Sequence, residues 1–512
     1  MLYPTELQAQ WWQELESSVQ STESSSPNLQ LKKGPSQSER LSFIVWTLGV
    51  GGIFMTNQGE IFTAPLAMAA KFAQSWLDEL PRRGINPTLD LDQVRAAFGD
   101  VLPDAGVDAT AVIEQLGRLG EPGLMASGSG RFFGWVIGGT MPAPLAADWL
   151  VSAWDQNAGA PMIAPTVVAL EQIAGEWLLD LLGLPSTSVV GFPTGAQMAN
   201  FGGLIAGRGE VLARVGWDVN VHGLYGAPRI RVLVNEERHI TVDTALRFLG
   251  LGAPQVVAAD EQGRIKIDAL KAALESGSGP TMLVLQAGNI HSGAFEPYRE
   301  AIELAHQHGA WVHIDGAFGL WALASPSLRP LLTGVELADS WATDAHKTLN
   351  VPYDCGVSIV NNAVALRRAF GVEASYLPKE HDSQLWPSEK VAELSRRGRG
   401  VTVWAALLSL GRDGVATLVD AMVANAQFLV AELIKIPGCR VLNDVVFTQV
   451  SFAFESEERT LEVGAKLIAD HSIWISGSQW QGQKILRISV SNWSTSAEDC
   501  AVTIDAVRRA TQ

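Results

Sequence analysis

Two short segments carry groups able to do chemistry together. WVHIDGAF, starting at Trp311, reads as an apolar strand that ends on a carboxylate, Asp315, followed by small residues. Open α/β sheets bind ligands at the carboxyl ends of their strands, so Asp315 stands where a ligand would be held. The plainer reading is a strand-end Asp that caps a helix. TDAHKTLN places Lys347 directly after His346, about thirty residues further on, among small and polar residues. A lone lysine in such a segment is ordinarily solvated. The pair is more specific than either member. A buried amine and a buried carboxylate at neighbouring strand ends suit pyridoxal phosphate. The amine forms an imine with the aldehyde, and the carboxylate keeps the pyridine nitrogen protonated so that the ring can take up an electron pair. The phosphate needs its own seat. GFPTGAQMANFGGL, residues 191–204, offers a Gly-bearing turn running into a helix, whose free amides and dipole favour an anion.

These groups need a scaffold. Between about residues 160 and 370 helical stretches alternate with the apolar strands IRVLV (230–234), TMLVL (281–285), WVHID (311–315) and GVSIV (356–360). Strands that are hydrophobic throughout and separated by helices are what a parallel sheet covered on both faces requires. The prediction is an α/β large domain over residues 161–398, with a mainly parallel sheet covered by helices. After Arg399 a helical run ends at Pro437 and Gly438. The strands RVLND, FTQVSFAF and KILRISVS follow, then a last helix opened by Thr495 and Glu498 at capping-box spacing. That predicts a smaller α+β domain over residues 399–512. Ahead of the core, LAMAAKFAQSWLDEL places apolar side chains at three- and four-residue intervals until Pro81 and Gly84, predicting a helical segment within residues 61–160. Residues 17–40 are Ser-rich and polar, so residues 1–60 read as a partly disordered extension.

Composition narrows the function classes. With 512 residues, 47% hydrophobic and 18% charged, the chain is long and apolar enough for a large core. Its 37 Lys plus Arg against 54 Asp plus Glu give a net charge of -17, which argues against nucleic acid as a partner. Cys355, Cys439 and Cys500 are too scattered for a disulfide framework, and the amino terminus lacks a secretory signal, so a cytoplasmic setting is expected. Leu41 to Gly59 carries no charge, but its four glycines and its Ser, Thr, Asn and Gln residues argue against a membrane span. His306, His308 and His313 point in different directions along a helix end and a strand, so no metal site is expected. GSGRFFG at 128–134 has the wrong spacing for a dinucleotide fingerprint.

In this order FPTGAQMAN, NEERHITVD, AGNIHSGAFEP, HIDGAFG, DAHKTLN and VPYDCG resemble the group II pyridoxal-phosphate-dependent decarboxylases, within the aspartate-aminotransferase-like fold (fold type I), over roughly residues 64–512. The resemblance makes Lys347 the lysine that joins the cofactor and Asp315 the partner of its pyridine nitrogen. Ala317 and His239 would lie against the two ring faces, Gly195, Ala196 and Gln197 would cradle the phosphate, and His346 would sit beside the lysine. Phe132, Trp135 and Asn157 fall where the family lines its substrate pocket, which suits an apolar or aromatic amino acid. The implied reaction is decarboxylation of an L-amino acid to a primary amine and carbon dioxide. A homodimer is implied too, with residues 371–395 reaching the partner's site.

Several positions depart from the family pattern. Its best-known members take a proton from a loop tyrosine just before a basic pair that resembles Arg396 and Arg397, yet HDSQLWPSEKVAELSRR contains no tyrosine. Tyr376 and His381 are the candidate donors. Without a donor, transamination, decarboxylative oxidative deamination or carbon–carbon cleavage become the alternatives. Asp344 stands where an Asn is common, an anion near the phosphate that is unfavourable unless it points away or bonds to backbone amides. Thr348 replaces a frequent Trp, and Arg487 is a candidate for a substrate carboxylate or a structural strand residue. A non-catalytic scaffold, using the Ser-rich tether for partners, is opposed by Lys347, Asp315 and His239 occurring together.

Overall fold

Every residue of the strands Thr281–Gln286, Trp311–Asp315, Ser340–Asp344 and Gly356–Val360 is buried, so both faces of the sheet they form are covered. The computed structural model describes residues 59–371 and 385–512. They fall into two compact units. One contains the described residues up to Ala73 and Pro103–Gly117, and the other contains Gln74–Leu102 and Arg118–Gln512. The uncharged stretch beginning at Leu41 lies outside the described residues up to residue 58.

The large unit holds a seven-stranded sheet: β1 (Val189–Gly191), β2 (Arg231–Asn235), β3 (Gln255–Val257), β4 (Thr281–Gln286), β5 (Trp311–Asp315), β6 (Ser340–Asp344) and β7 (Gly356–Val360), in the order β1-β7-β6-β5-β4-β2-β3. From β3 to β6 neighbouring strands are parallel. GVSIV departs from the expected direction: β7 runs antiparallel to both β6 and β1. Parallel neighbours need a crossover, usually a helix, and the link Ala345–Cys355 contains none, so the chain doubles back. That link carries Lys347. It leaves the sheet at the carboxyl end of β6, next to the end of β5 where Asp315 pairs in register with Ala342.

A second, antiparallel sheet comprises β8 (Arg440–Val441), β9 (Gln449–Ala453), β10 (Ser476–Trp480) and β11 (Gln483–Ser489), in the order β10-β11-β9-β8. Helix Gly400–Leu433 serves both sheets and bends at Gly411, which takes a left-handed φ of 63°. Val403, Ala406, Val415 and Val419 join the core of the first sheet, while Ala426, Leu429 and Leu433 join that of the second. The helix is long and apolar enough to cross a membrane by length and composition; these contacts account for part of its apolar positions, while Leu408 and Phe428 are exposed. The last helix, Ala497–Ala510, is capped by Ser496 and Asp499, one position beyond the expected Thr495 and Glu498. Thr495 instead donates its hydroxyl to the Gly130 carbonyl at 2.9 Å.

Candidate active site

Asp315 is the last residue of β5, and its carboxylate is gripped from behind. Asn200, in the first turns of helix Ala196–Ala213, donates Nδ2 to Asp315 Oδ2 at 2.9 Å, and the Ala317 amide approaches Oδ1 at 3.3 Å. Asn200 Oδ1 lies 2.9 Å from His313 Nε2, His313 Nδ1 lies 2.8 Å from Ser340 Oγ, and Trp311 Nε1 reaches the same hydroxyl at 3.1 Å. The ends of this chain fix its direction. An indole N–H only donates and a carboxylate only accepts. Ser340 therefore accepts from Trp311 and donates to His313, which donates to Asn200, which donates to Asp315. His313 must be neutral for this, and complete burial pushes its pKa down to about 3.

Lys347 lies at the neighbouring strand end. Its Nζ is 2.9 Å from Asp344 Oδ2, while Asp344 Oδ1 accepts from the Ala196 amide at 2.5 Å and lies 3.4 Å from His346 Nε2. Only 3% of the Asp344 side chain is exposed, against 20% for Lys347. The Ala196 amide opens helix Ala196–Ala213, so the turn at Gly195 presents an anion seat. The seat is built by close approach. A Cβ on Gly195 would crowd the His346 ring and Asp344, and one on Gly356 would collide with the Gly195 backbone. Of the three residues assigned to the cradle, Ala196 is buried, Gly195 is half-buried and Gln197 is exposed.

His239 caps helix Ile240–Phe248, with Nδ1 accepting from the Thr241 amide at 3.3 Å and lying 2.9 Å from the Thr241 hydroxyl. Burial holds its pKa below the usual histidine value. The charge of Asp315 opposes this, those of Lys347 and Arg487 add to it, and that of Asp344 opposes it. With Nδ1 as acceptor, the proton of the neutral ring sits on Nε2. His346 is locked differently: Nδ1 accepts from the Cys355 amide at 3.0 Å and its ring stacks on Tyr353, centroids 4.1 Å apart. Thr348, the other departure beside the lysine, donates its hydroxyl to the Phe318 carbonyl at 3.0 Å.

The remaining assigned residues are spread more widely. The segment after Gly134 packs on the lysine turn: Gly139 donates to Asn350 Oδ1 at 2.7 Å, and a Cβ on Gly138 would collide with the Lys347 carbonyl oxygen. Trp135, with a left-handed φ of 49°, leaves 56% of its surface exposed, whereas Phe132 is 1% exposed and stacks on Trp474. Asn157 is exposed and holds backbone, accepting from the Gly159 amide at 3.0 Å and the Arg396 amide at 3.2 Å. Arg396 makes a two-pronged buried pair with Glu171 at 2.8 and 2.7 Å, and Arg397 pairs with Asp148 at 2.7 Å. Arg487, buried on β11, donates Nη1 to the Ile290 carbonyl at 3.1 Å, and its Nε has no partner among the described residues. Tyr376 and His381 lie outside the described residues. Asn200 and His313 were not singled out for this role from sequence. Two signals point to them: Asn200 sits inside FPTGAQMAN on the cradle helix, and His313 precedes Asp315 by two, on the same face of one strand.

The donor set fits pyridoxal phosphate on chemical grounds. A lysine amine lies one strand from a carboxylate held by an amide donor, a half-buried histidine is fixed with Nδ1 as acceptor at a helix start, and a helix amide offers a seat to an anion.

Comparison with known proteins agrees. The family described as the pyridoxal-dependent decarboxylase conserved domain matches residues 92–455. The aromatic-L-amino-acid decarboxylase of Bacillus atrophaeus is 25% identical over 448 residues, 83% of this chain and 90% of that protein. The cysteine sulfinic acid decarboxylase of Rattus norvegicus is 30% identical over 354 residues, 67% and 69% of the two chains. The crystal structure of Oryza sativa TDC with PLP and tryptamine shares the fold, with a TM-score of 0.82 at 21% identity over 89% of this chain and 98% of that one. Since the match extends over well more than half of its length, the chain belongs to the pyridoxal-dependent decarboxylase family and is a PLP-dependent amino-acid carboxy-lyase of fold type I.

Proposed function

We propose that this chain removes the α-carboxyl group of an L-amino acid as carbon dioxide and releases the primary amine, acting as a cytoplasmic homodimer. The observation that carries this reading is the placement of the Lys347 turn and Asp315 at the ends of adjacent strands, with Asn200 holding the Asp315 carboxylate. Bound pyridoxal phosphate supplies the electron sink for the departing pair of electrons. Asp315, backed by Asn200, holds a proton on the atom that faces it. Lys347 presents its amine from the turn after β6. The neutral imidazole of His239 orients by contact and keeps a proton on Nε2. The proton that replaces the carboxylate is assigned to Tyr376 or His381. Arg396 and Arg397 anchor the end of that segment through Glu171 and Asp148.

The substrate side chain is apolar or aromatic in this reading, supported by the exposed indole of Trp135 on the segment that packs against the lysine turn. A second reading, an acidic side chain, is favoured by Arg487. Burial lowers its pKa to about 10, which leaves it charged at neutral pH, and its Nε is unpartnered among the described residues. Rates of carbon dioxide release across single amino acids separate the two. The dimer is supported by the exposed apolar side chains of Trp149, Leu150, Trp154, Met162 and Ile163. A monomeric mass in light scattering of the cofactor-loaded protein contradicts it. Lys347→Ala tests the reaction itself: turnover and the visible absorbance of bound cofactor should both vanish, and persistence of both would overturn the assignment.

A further inference from the structure

We propose that Asp344 is a resident anion of the phosphate cradle and the residue that sets how tightly this chain holds the phosphate of its cofactor, an inference that rests on the cofactor assignment above. Three contacts carry it. Asp344 Oδ1 takes the Ala196 amide at 2.5 Å, which is the donor that opens helix Ala196–Ala213. Asp344 Oδ2 holds Lys347 Nζ at 2.9 Å. The side chain is nearly sealed from water, so solvent screens little of its charge.

A helix amide with its dipole attracts any anion, and here a carboxylate of the chain already uses it. A phosphate that comes to the same amide must displace Asp344 Oδ1 from this hydrogen bond and then sit close to a second negative charge that cannot leave. Loading therefore exchanges one anion for another. The same carboxylate pairs with the lysine as an ammonium, so the two halves of cofactor capture, the amine and the phosphate seat, are both engaged by one side chain beforehand. The chain should consequently hold phosphate-bearing cofactor loosely and depend on its free concentration. Asn at this position would leave only a neutral oxygen to be displaced from the Ala196 amide and would remove the charge beside which the phosphate must otherwise sit.

The test uses the full-length protein stripped of cofactor, titrated with pyridoxal phosphate and, separately, with pyridoxal, which lacks the phosphate. Asp344→Asn should bind pyridoxal phosphate at least tenfold more tightly than the wild type, with a clearly smaller gain for pyridoxal, which shares only the release of Lys347. Inorganic phosphate should compete with pyridoxal phosphate at lower concentration in the variant. Equal or weaker binding of pyridoxal phosphate overturns the proposal. So does an equal gain for pyridoxal, because the effect then acts through Lys347 and not through the phosphate. If neither protein takes up pyridoxal phosphate, it is the cofactor assignment that fails. Asp344→Ser, which removes the charge with less bulk, gives the same comparison should the Asn variant not fold.

Discussion

His313 Nε2 meets Asn200 Oδ1 at 2.9 Å behind the carboxylate of Asp315, although the two residues are 113 positions apart in the chain. This contact fixes the Asn200 amide so that its nitrogen, and not its oxygen, faces Asp315. A hydrogen bond to a charged group contributes about 1.5–3 kcal/mol, so Asn200→Ala should lower kcat by roughly 10- to 150-fold. The visible spectrum of bound cofactor should shift in the same variant, because the group opposite Asp315 feels the change. An unchanged spectrum with an unchanged kcat removes Asn200 from the positioning role.

His313 also ties stability to pH. Its pKa falls from 6.5 to about 3 on folding, so between these values the unfolded chain binds a proton that the native chain refuses. Stability from this group is therefore full above pH 6.5 and declines as the pH falls toward 3. At ~1.4 kcal/mol per pH unit, roughly 2 kcal/mol should be lost between pH 6.5 and 5. Chemical denaturation midpoints at these two pH values should differ less in His313→Asn than in the wild type. An equal difference in both proteins contradicts the assignment.

Much of this site is legible in the sequence and some of it is not, for physical reasons. Asp315 and Lys347 stand out because a strand of uninterrupted hydrophobicity that ends on a charge is unusual, and because their order along the chain matches one chemistry. The direction of β7 was not legible. A run such as GVSIV buries both faces whichever way it points, and only the missing crossover in the link Ala345–Cys355 reverses it. β6, SWATD, is buried throughout despite its Ser, Thr and Asp, so hydropathy conceals it. The bond between Asn200 and His313 depends on a helix and a strand meeting, which no local pattern records.

His239 predicts the acid side of the activity profile. Burial, with Lys347 and Arg487, keeps it neutral to pH values below 6.5. Protonation would place a cation where the proposed role needs a neutral ring, so the limb of kcat/KM assigned to His239 should fall off only on the acid side of 6.5. A limb centred above 6.5 that disappears in His239→Gln contradicts this.

The pair of Arg396 and Glu171 should behave as an anchor. Both charges are buried and joined by two hydrogen bonds of 2.8 and 2.7 Å. Removing one partner strands the other, at a cost of about 3–5 kcal/mol. Arg396→Met should therefore lower the melting temperature sharply. Adding Glu171→Leu should recover part of the loss, the remainder belonging to the Gly400 amide that also donates to Glu171 at 3.2 Å. Additive losses in the double variant would show that the pair does not act as a unit.

The most direct measurement is the mass of the product formed when the pyridoxal-phosphate-loaded protein meets a pool of amino acids. The expected product is a primary amine lighter than its parent by one carbon dioxide, which is released in equal amount. A keto acid, which keeps its carboxylate, would contradict this, and so would an aldehyde as the main product, since that requires that the proton assigned to Tyr376 or His381 does not arrive at the carbon that lost the carboxylate.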